Sequence, residues 1–353
     1  MKRLTGYFCA ALLLAGSSSA LAQEGTTEAS APLEPQASDD TIAAKNPDLV
    51  VARGKDRLPL VIPANEKLIY DIVLDVALIG RTRVGSLVLS SGVEAFREGL
   101  PRAGQPVEAS TRRAGWTRAV AKGGYLGYSM EHTIESRLLP QEWPAVIVRN
   151  TQSGTESRSH HIMYGRRNGQ DTLWYRRTHH CKGCDREEHF LEGGLTRRDP
   201  YHCPKCKRGE HRIWASPSLK TVPGGAVDML TAIHLARSLV LSESEQVGAP
   251  LLDKSCWWDL TLSRGDLQVI KVPAGEFRAQ AIKLAPGTPE GEERTERFKG
   301  LFGIHGTLSI WLDTATGVPL RIEGIVPLGP LDLDVSVELR NSSGVPAGFL
   351  KAK

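Results

Sequence analysis

The chain has 353 residues, of which 41% are hydrophobic and 24% are charged, and its formal net charge is +4. This balance excludes a chain that is disordered throughout, because enough apolar residues are present for one large core or two small ones. A net charge of this size does not by itself indicate nucleic-acid binding, and none is expected.

The first residues, MKRLTGYFCAALLLAGSSSALA, predict a secretory signal peptide over residues 1–22. They combine a basic start, a short apolar run and a small-residue ending at Ala22. Cys9 lies in the apolar run and is expected to be removed with it. No later apolar run reaches the roughly 20 residues that cross a bilayer. We therefore expect a periplasmic or secreted protein with no transmembrane segment after signal removal.

Residues 23–62 begin with a mixture of Pro, Ser, Ala and acids that is too polar to order itself, so this stretch is predicted to be a flexible tether. A β-rich domain is predicted over residues 63–345. Its first strand alternates apolar and polar residues from Tyr70 to Leu78, and Gly80 ends it before a return strand at 84–90. Residues 92–124 give no clear pattern beyond a short helix or strand at their start.

Further short strands are predicted where β-branched or aromatic residues stand between turn residues. They lie at 125–129, 132–138, 145–149, 159–164 and 172–177 and, after the cysteine-containing stretch described below, at 257–262, 267–272, 277–284, 308–312, 318–326 and 331–339. The polar segment 286–300 is interpreted as a mobile loop or a solvated hairpin tip.

One helix is predicted over 226–241, because Met229, Leu230, Ile233, Ala236 and Val240 recur at helical spacing after Pro-Gly-Gly. Its polar stripe is thin, so burial on most sides is expected, with His234 as a hydrogen-bonded interior residue. The predicted fold class is mainly β: an antiparallel barrel or half-barrel with one buried helix and an inserted protrusion that resembles a zinc ribbon.

The protrusion is predicted over residues 179–211, where the cysteines follow the pattern C-x2-C-x18-C-x2-C. This spacing is typical of a structural zinc ion held by four thiolates, here Cys181, Cys184, Cys203 and Cys206. Such a closed site leaves no coordination position for substrate. Export to an oxidising compartment leaves two disulfides or a redox pair as alternatives. The remaining Cys256 is interpreted as a buried thiol.

Histidines and basic residues gather around the same stretch. Seven of the ten histidines lie between His160 and His211, and residues 149–212 contain 14 Lys or Arg against 8 Asp or Glu. The histidines nearest the cysteines are interpreted as solvated side chains or as groups that hydrogen-bond to the zinc ligands, with a second metal site as the alternative. They are His179, His180, His189, His202 and His211. The basic excess could meet lipid, cell-wall polymer or an envelope protein.

Several segments together resemble the bacterial exported proteins of domain-of-unknown-function family 3108. They are EKLIYDIVLDVALIGRTRVGSLVLS, PGGAVDMLTAIHLARSL, VPAGEFRAQAIKL, LSIWLDTATGVPLRIEG and LDLDVSVEL, within about residues 66 to 340. The resemblance implies an envelope β-protein and supplies no catalytic residues. The cysteine stretch departs from the family pattern, so the zinc site is interpreted as a local addition.

These observations lead to the prediction of a non-enzymatic cell-envelope protein with a structural zinc site that binds an apolar or anionic ligand or partner. The alternative is a metal-dependent hydrolase that uses the histidine cluster near the cysteines. Catalytic motifs such as G-x-S-x-G and H-E-x-x-H are absent from the sequence.

Overall fold

All residues that the computed structural model describes fall within Gln36–Lys353. The described residues are 49–52, 58, 60–76, 80–97, 111–125, 128–138, 145–154, 158–167, 170–180, 188–190, 196–198, 212–290, 292–293, 298, 300–328, 331–346 and 349. The predicted signal peptide and most of the predicted tether lie outside these residues.

The described chain contains many β-strands, one α-helix, α1, at Met229–Leu241, and a short 3-10 helix at Leu301–Gly303. The strands are β1 Leu49–Ala52, β2 Leu60–Pro63, β3 Asn65–Val76, β4 Gly80–Arg97, β5 Thr111–Tyr125, β6 Tyr128–Leu138, β7 Ala145–Gly154, β8 Arg158–Arg167, β9 Gln170–His180, β10 Glu188–Phe190, β11 Thr196–Arg198, β12 Arg212–Trp214, β13 Ser218–Thr221, β14 Gln246–Asp253, β15 Cys256–Val272, β16 Gly275–Gly287, β17 His305–Asp313, β18 Pro319–Leu328 and β19 Leu331–Ser343.

Fifteen of these strands form one antiparallel sheet in the order β12-β9-β8-β7-β6-β5-β4-β3-β19-β18-β17-β16-β15-β14, with β13 also paired to β9. The sheet is open, so its two edges are not joined to each other. The prediction of a mainly antiparallel β fold with a buried helix is confirmed, and of its two architectures the open sheet is consistent with the half-barrel.

Helix α1 lies on the inner face of the sheet and packs against strands from both halves of the strand order, β5 and β6 in one half and β14 to β17 in the other. Every residue from Leu230 to Val240 is buried. The helix begins at Met229, three residues later than predicted, because the Asp228 side chain accepts hydrogen bonds from the backbone N–H groups of Leu230 and Thr231 and so caps it. In the described part of the chain, no helix combines the length and apolar character that crossing a membrane requires.

Several strand boundaries differ from those predicted. Residues 92–97 continue β4, and residues 111–125, for which no clear pattern was found, form strand β5, which pairs with β4 from Thr111 to Gly123. Strand β15 is continuous through 256–272, where two strands were predicted, because a β-bulge between Arg264 and Leu267 absorbs the break in alternation. Strand β14 was not predicted at all. Within the predicted loop 286–300, Phe298 is buried against Trp258.

Candidate functional site

The predicted zinc ligands Cys181, Cys184, Cys203 and Cys206 lie outside the described residues. The structure does describe the chain on either side of them. Strand β9 ends at His180 and pairs with β12, so that Arg212 stands opposite His180. This pairing holds the two ends of the cysteine-containing stretch next to each other. The zinc site itself stays a prediction, as do the roles of the flanking histidine side chains.

Cys256 is described, and it differs from the expected buried thiol. It opens strand β15 directly after a two-residue turn and is only partly buried. Its sulfur lies 4.0 Å from the Ser255 hydroxyl, and it forms no disulfide.

Three polar contacts anchor α1 to the sheet. At its start, Asp228 accepts a hydrogen bond of 2.6 Å from the Ser136 hydroxyl on β6. In the middle, His234 Nε2 lies 2.7 Å from the Thr117 hydroxyl on β5. Near its end, the Arg237 guanidinium meets both carboxylate oxygens of Glu66, at 2.8 and 3.1 Å. Each partner lies on a different strand, so together these contacts fix the position of the helix in the sheet.

The contact between His234 and Thr117 has the residue types of a base and a nucleophile, but its surroundings do not suit catalysis. Both side chains are 2% exposed, so no substrate reaches them. Burial and the positive charge of Arg237 lower the pKa of His234 to about 3, which keeps the ring neutral. The prediction of His234 as a hydrogen-bonded interior residue is confirmed.

The inner face of strands β6 to β9 carries a second polar group, which we call the basic cluster: His132, Arg158, His160, Arg177 and Lys254. Strand register explains how it forms. Gln152 on β7 stands opposite both His132 on β6 and Arg158 on β8. In the next row, His160 on β8 stands opposite both Asn150 and Arg177. Lys254 comes from the turn between β14 and β15.

Hydrogen bonds hold the first row of the basic cluster in place. His132 Nε2 lies 2.6 Å from Asn150 Oδ1, and Arg158 Nε donates to Gln152 Oε1 at 2.7 Å. The Arg158 and Arg177 side chains are exposed, whereas His132 is buried. The cluster therefore has a fixed polar base and a positively charged rim that solvent reaches.

His160 is the centre of the basic cluster. Its ring stacks on Tyr175, with ring centroids 6.0 Å apart and an interplanar angle of 20°. Burial, followed by the charges of Lys254, Arg158 and Arg177, lowers its pKa to about 4. All four side chains that act on this pKa are basic. His160 Nδ1 is buried without a hydrogen-bond partner among the described residues. The arrangement favours an anion, because a negative charge here would offset the surrounding positive charges.

A similar group occupies the opposite, outer face of the same strands. Arg176 Nη2 lies 3.1 Å from His161 Nδ1, and its guanidinium stacks over the rings of Trp214 and Trp174 at 4.4 and 5.1 Å from the centroids. Both Arg176 and His161 are buried. Burial and the charges of Arg176 and Arg149 lower the pKa of His161 to about 4. This group is closed to solvent and is interpreted as a packing element.

A groove of about 410 Å³ lies on the outer face of the central strands β3, β4, β17, β18 and β19. Its charged groups largely pair with one another. Glu338 lies 2.6 Å from Arg81 and 3.3 Å from Arg321, and Glu323 accepts a hydrogen bond from the Trp311 indole at 2.8 Å. Asp75 and Asp334 also line the groove, so its four acidic side chains outnumber its two arginines. This excess disfavours an anion, and the basic cluster is therefore the stronger candidate site for an anionic ligand.

The structure thus brings together Arg158 and Arg177 from the basic excess seen in the sequence, and it adds Lys254 and His132 from outside that stretch. Sequence reasoning missed the basic cluster because its members come from three strands and a turn. The sequence signal that could have found part of it is the spacing of Arg158 and His160, which are two residues apart in one strand and so lie on the same face of the sheet. Comparison of the chain with protein-family models, with curated proteins and with solved structures finds no match.

Proposed function

We propose that this chain is an exported, non-enzymatic cell-envelope protein that binds an anionic ligand or partner through the basic cluster, and that a structural zinc ion orders its inserted stretch. The proposal retains the predicted signal peptide, the four cysteine ligands and the resemblance to the envelope family. The observation that carries it is His160, a partly buried ring whose Nδ1 is buried without a hydrogen-bond partner among the described residues and whose charged neighbours, Lys254, Arg158 and Arg177, are all basic.

The structure favours an anionic over an apolar ligand. Helix α1 and strand β2 already cover the apolar inner face of the sheet, with Leu230, Leu235 and Leu239 fully buried. A lipid chain would have to displace this packing, whereas an anionic group can reach the exposed rim formed by Arg158 and Arg177. The hydrolase alternative depends on His179, His180, His189, His202 and His211, none of which has a described side chain.

The test is binding of the envelope-purified protein to phosphatidylglycerol vesicles, with phosphatidylcholine vesicles as the reference. The double variant Arg158→Gln/Arg177→Gln should weaken binding roughly thirtyfold, since each basic side chain near an anionic surface contributes about 1 kcal/mol. Added salt should also weaken binding of the unaltered protein.

The matched control is Arg118→Gln/Lys122→Gln. It removes the same charge from β5, where both side chains are exposed and paired with Glu135 and Glu131 on the outer face. It should bind nearly as well as the unaltered protein. Equal loss in both double variants would contradict a defined site and indicate a response to net charge alone. Equal retention on both vesicle types would contradict anion binding.

A second readout comes from His160 itself. Its pKa of about 4 reflects burial and neighbouring positive charge, so a bound anion should raise it. Nuclear magnetic resonance titration of the histidine ring, with and without inorganic phosphate, measures this change. A pKa that stays the same at saturating phosphate would place the anion elsewhere on the protein.

A further inference from the structure

Along one stretch of the sheet edge, no strand in the described part of the chain forms a hydrogen-bonded ladder with β15, although the hairpin turn after it contacts β19 through Ala274 N–H and Leu339 O at 2.9 Å. Strand β14 pairs with β15 only from Cys256 to Ser263. The outer side of β14 is itself partly covered, because Val227 forms a parallel bridge to Leu251. From Gly265 to Lys271, none of the described strands pairs with β15 on the side away from β16.

Hydrogen-bond directions show which backbone groups face this open edge. Arg264 donates its N–H to Glu245 O at 2.9 Å, so its backbone points away from β16. The bulge that follows spans three steps on β15, from 264 to 267, against two on β16, from 282 to 280. Leu267 therefore points its N–H and C=O away from β16 as well, and Val269 and Lys271 follow by alternation. Lys271 O already accepts a hydrogen bond from Arg321 at 2.6 Å.

The side chains of this segment are apolar in the middle and oppositely charged at its ends. Leu267 is 49% exposed and Val269 is 68% exposed, the highest value among the large hydrophobic residues described. Glu245 and Asp266 are exposed at one end of the edge, and Lys271 is exposed at the other. An identical strand running in the opposite direction would set the acidic end of each copy beside the basic end of the other.

We propose that the segment Gly265–Lys271 is a homodimer interface, in which two copies pair their β15 edges antiparallel about a two-fold axis at Gln268. In this register, Leu267 of one copy stands opposite Val269 of the second copy, and both residues present their backbone groups to each other as a hydrogen-bonded pair. The axis repeats this pair, so four exposed apolar side chains come together on the outer face. The bulge at one end and the engaged carbonyl of Lys271 at the other limit the pairing to this length.

The register predicts a specific cross-link. Gln268 stands opposite its own copy in a non-hydrogen-bonded pair, where Cα atoms lie about 4.5 Å apart, within the range that a disulfide spans. A Gln268→Cys variant of the full chain should therefore form a disulfide-linked dimer through residue 268, identified by peptide mass spectrometry. The control is Thr261→Cys, an exposed position on the same strand that has neighbours on both sides in β14 and β16. It should not cross-link through residue 261.

Sedimentation of the unaltered chain over a concentration series provides the measurement without an added cysteine. It should show a monomer–dimer equilibrium, and Val269→Lys should raise the dissociation constant about tenfold, because the symmetry removes two apolar pairs and adds like charges. Circular dichroism of this variant should match that of the unaltered chain, since the side chain is exposed. A monomer at every concentration would overturn the proposal and leave the edge to a strand from another protein. Cross-linking at 261 as efficient as at 268 would overturn the register.

Discussion

The buried ion pair between Arg237 and Glu66 is predicted to be a principal anchor between helix and sheet. The two side chains are 1% and 2% exposed. Arg237 also donates to the carbonyl of Gly317 at 2.9 Å. Removing one partner leaves the other charge buried without compensation, which costs about 3–5 kcal/mol. We therefore expect Glu66→Met and Arg237→Met each to lower the unfolding free energy by about that amount, a large share of the 5–15 kcal/mol typical of a domain.

The double variant Glu66→Met/Arg237→Met shows how much of each single effect comes from the unpaired charge that a single substitution leaves buried. Both charges are then absent, so the double variant should be more stable than either single variant, with a coupling of about 2–3 kcal/mol. Urea unfolding followed by tryptophan fluorescence and by circular dichroism gives all four free energies. Single variants that lose less than about 1 kcal/mol, or single effects that simply add in the double variant, would refute the reasoning from burial.

Three further predictions concern the turn, the helix histidine and the metal. Gly317 has a φ of +67°, and an added Cβ would lie 2.7 Å from Arg237 Cγ, so Gly317→Ala should destabilise by about 1–3 kcal/mol in urea unfolding, whereas an unchanged midpoint would contradict this. The pKa of His234 is 6.5 in the unfolded chain and about 3 in the folded protein, so its contribution to the unfolding free energy is complete above pH 6.5 and is lost as the pH falls toward 3. His234→Gln should therefore make the unfolding free energy depend less on pH in this range. An unchanged slope of unfolding free energy against pH would contradict this prediction. Natively exported protein should hold one zinc ion per chain that Cys203→Ser removes while the circular dichroism of the β-domain persists, and metal-free protein with four oxidised cysteines would exclude the site.

The sequence determined the elements whose pattern is local. Strand β19 alternates inward Val335, Val337 and Leu339 with polar residues, and this alternation alone assigns it to a sheet with one buried face. The helix was predicted from its apolar spacing, and its near-complete burial from its thin polar stripe. Because both inferences depend only on residues a few positions apart, they needed no knowledge of the partner surface.

Strands β5 and β14 were not predicted because their sequences lack the usual alternation of large apolar and polar residues. Their residue types are instead explained by the tertiary contacts of each strand. The inner face of β5 carries Gly115, Ala119 and Ala121, small residues that make room for β2 and the helix. A Cβ at Gly115 would lie 2.6 Å from Ile62 Cδ1. Strand β14 contains Gly248 and Pro250, residue types that are uncommon in strands. An edge strand tolerates proline, and here the Pro250 carbonyl accepts the Val227 N–H at 2.7 Å.

Only the tertiary structure decided which distant residues meet. Alternation assigns a side chain to a face of the sheet but not to a neighbour, and strand order is set by packing over the whole chain. Glu66 and Arg237 are 171 positions apart, and no local signal joins them. In the same way, the charge of Lys254, from the turn between β14 and β15, acts on His160 of β8 only because strands from both halves of the sheet pack around one helix. The sequence therefore determined the β class and the buried helix, whereas folding of the sheet around that helix created the basic cluster and left Gly265–Lys271 unpaired on one side among the described strands.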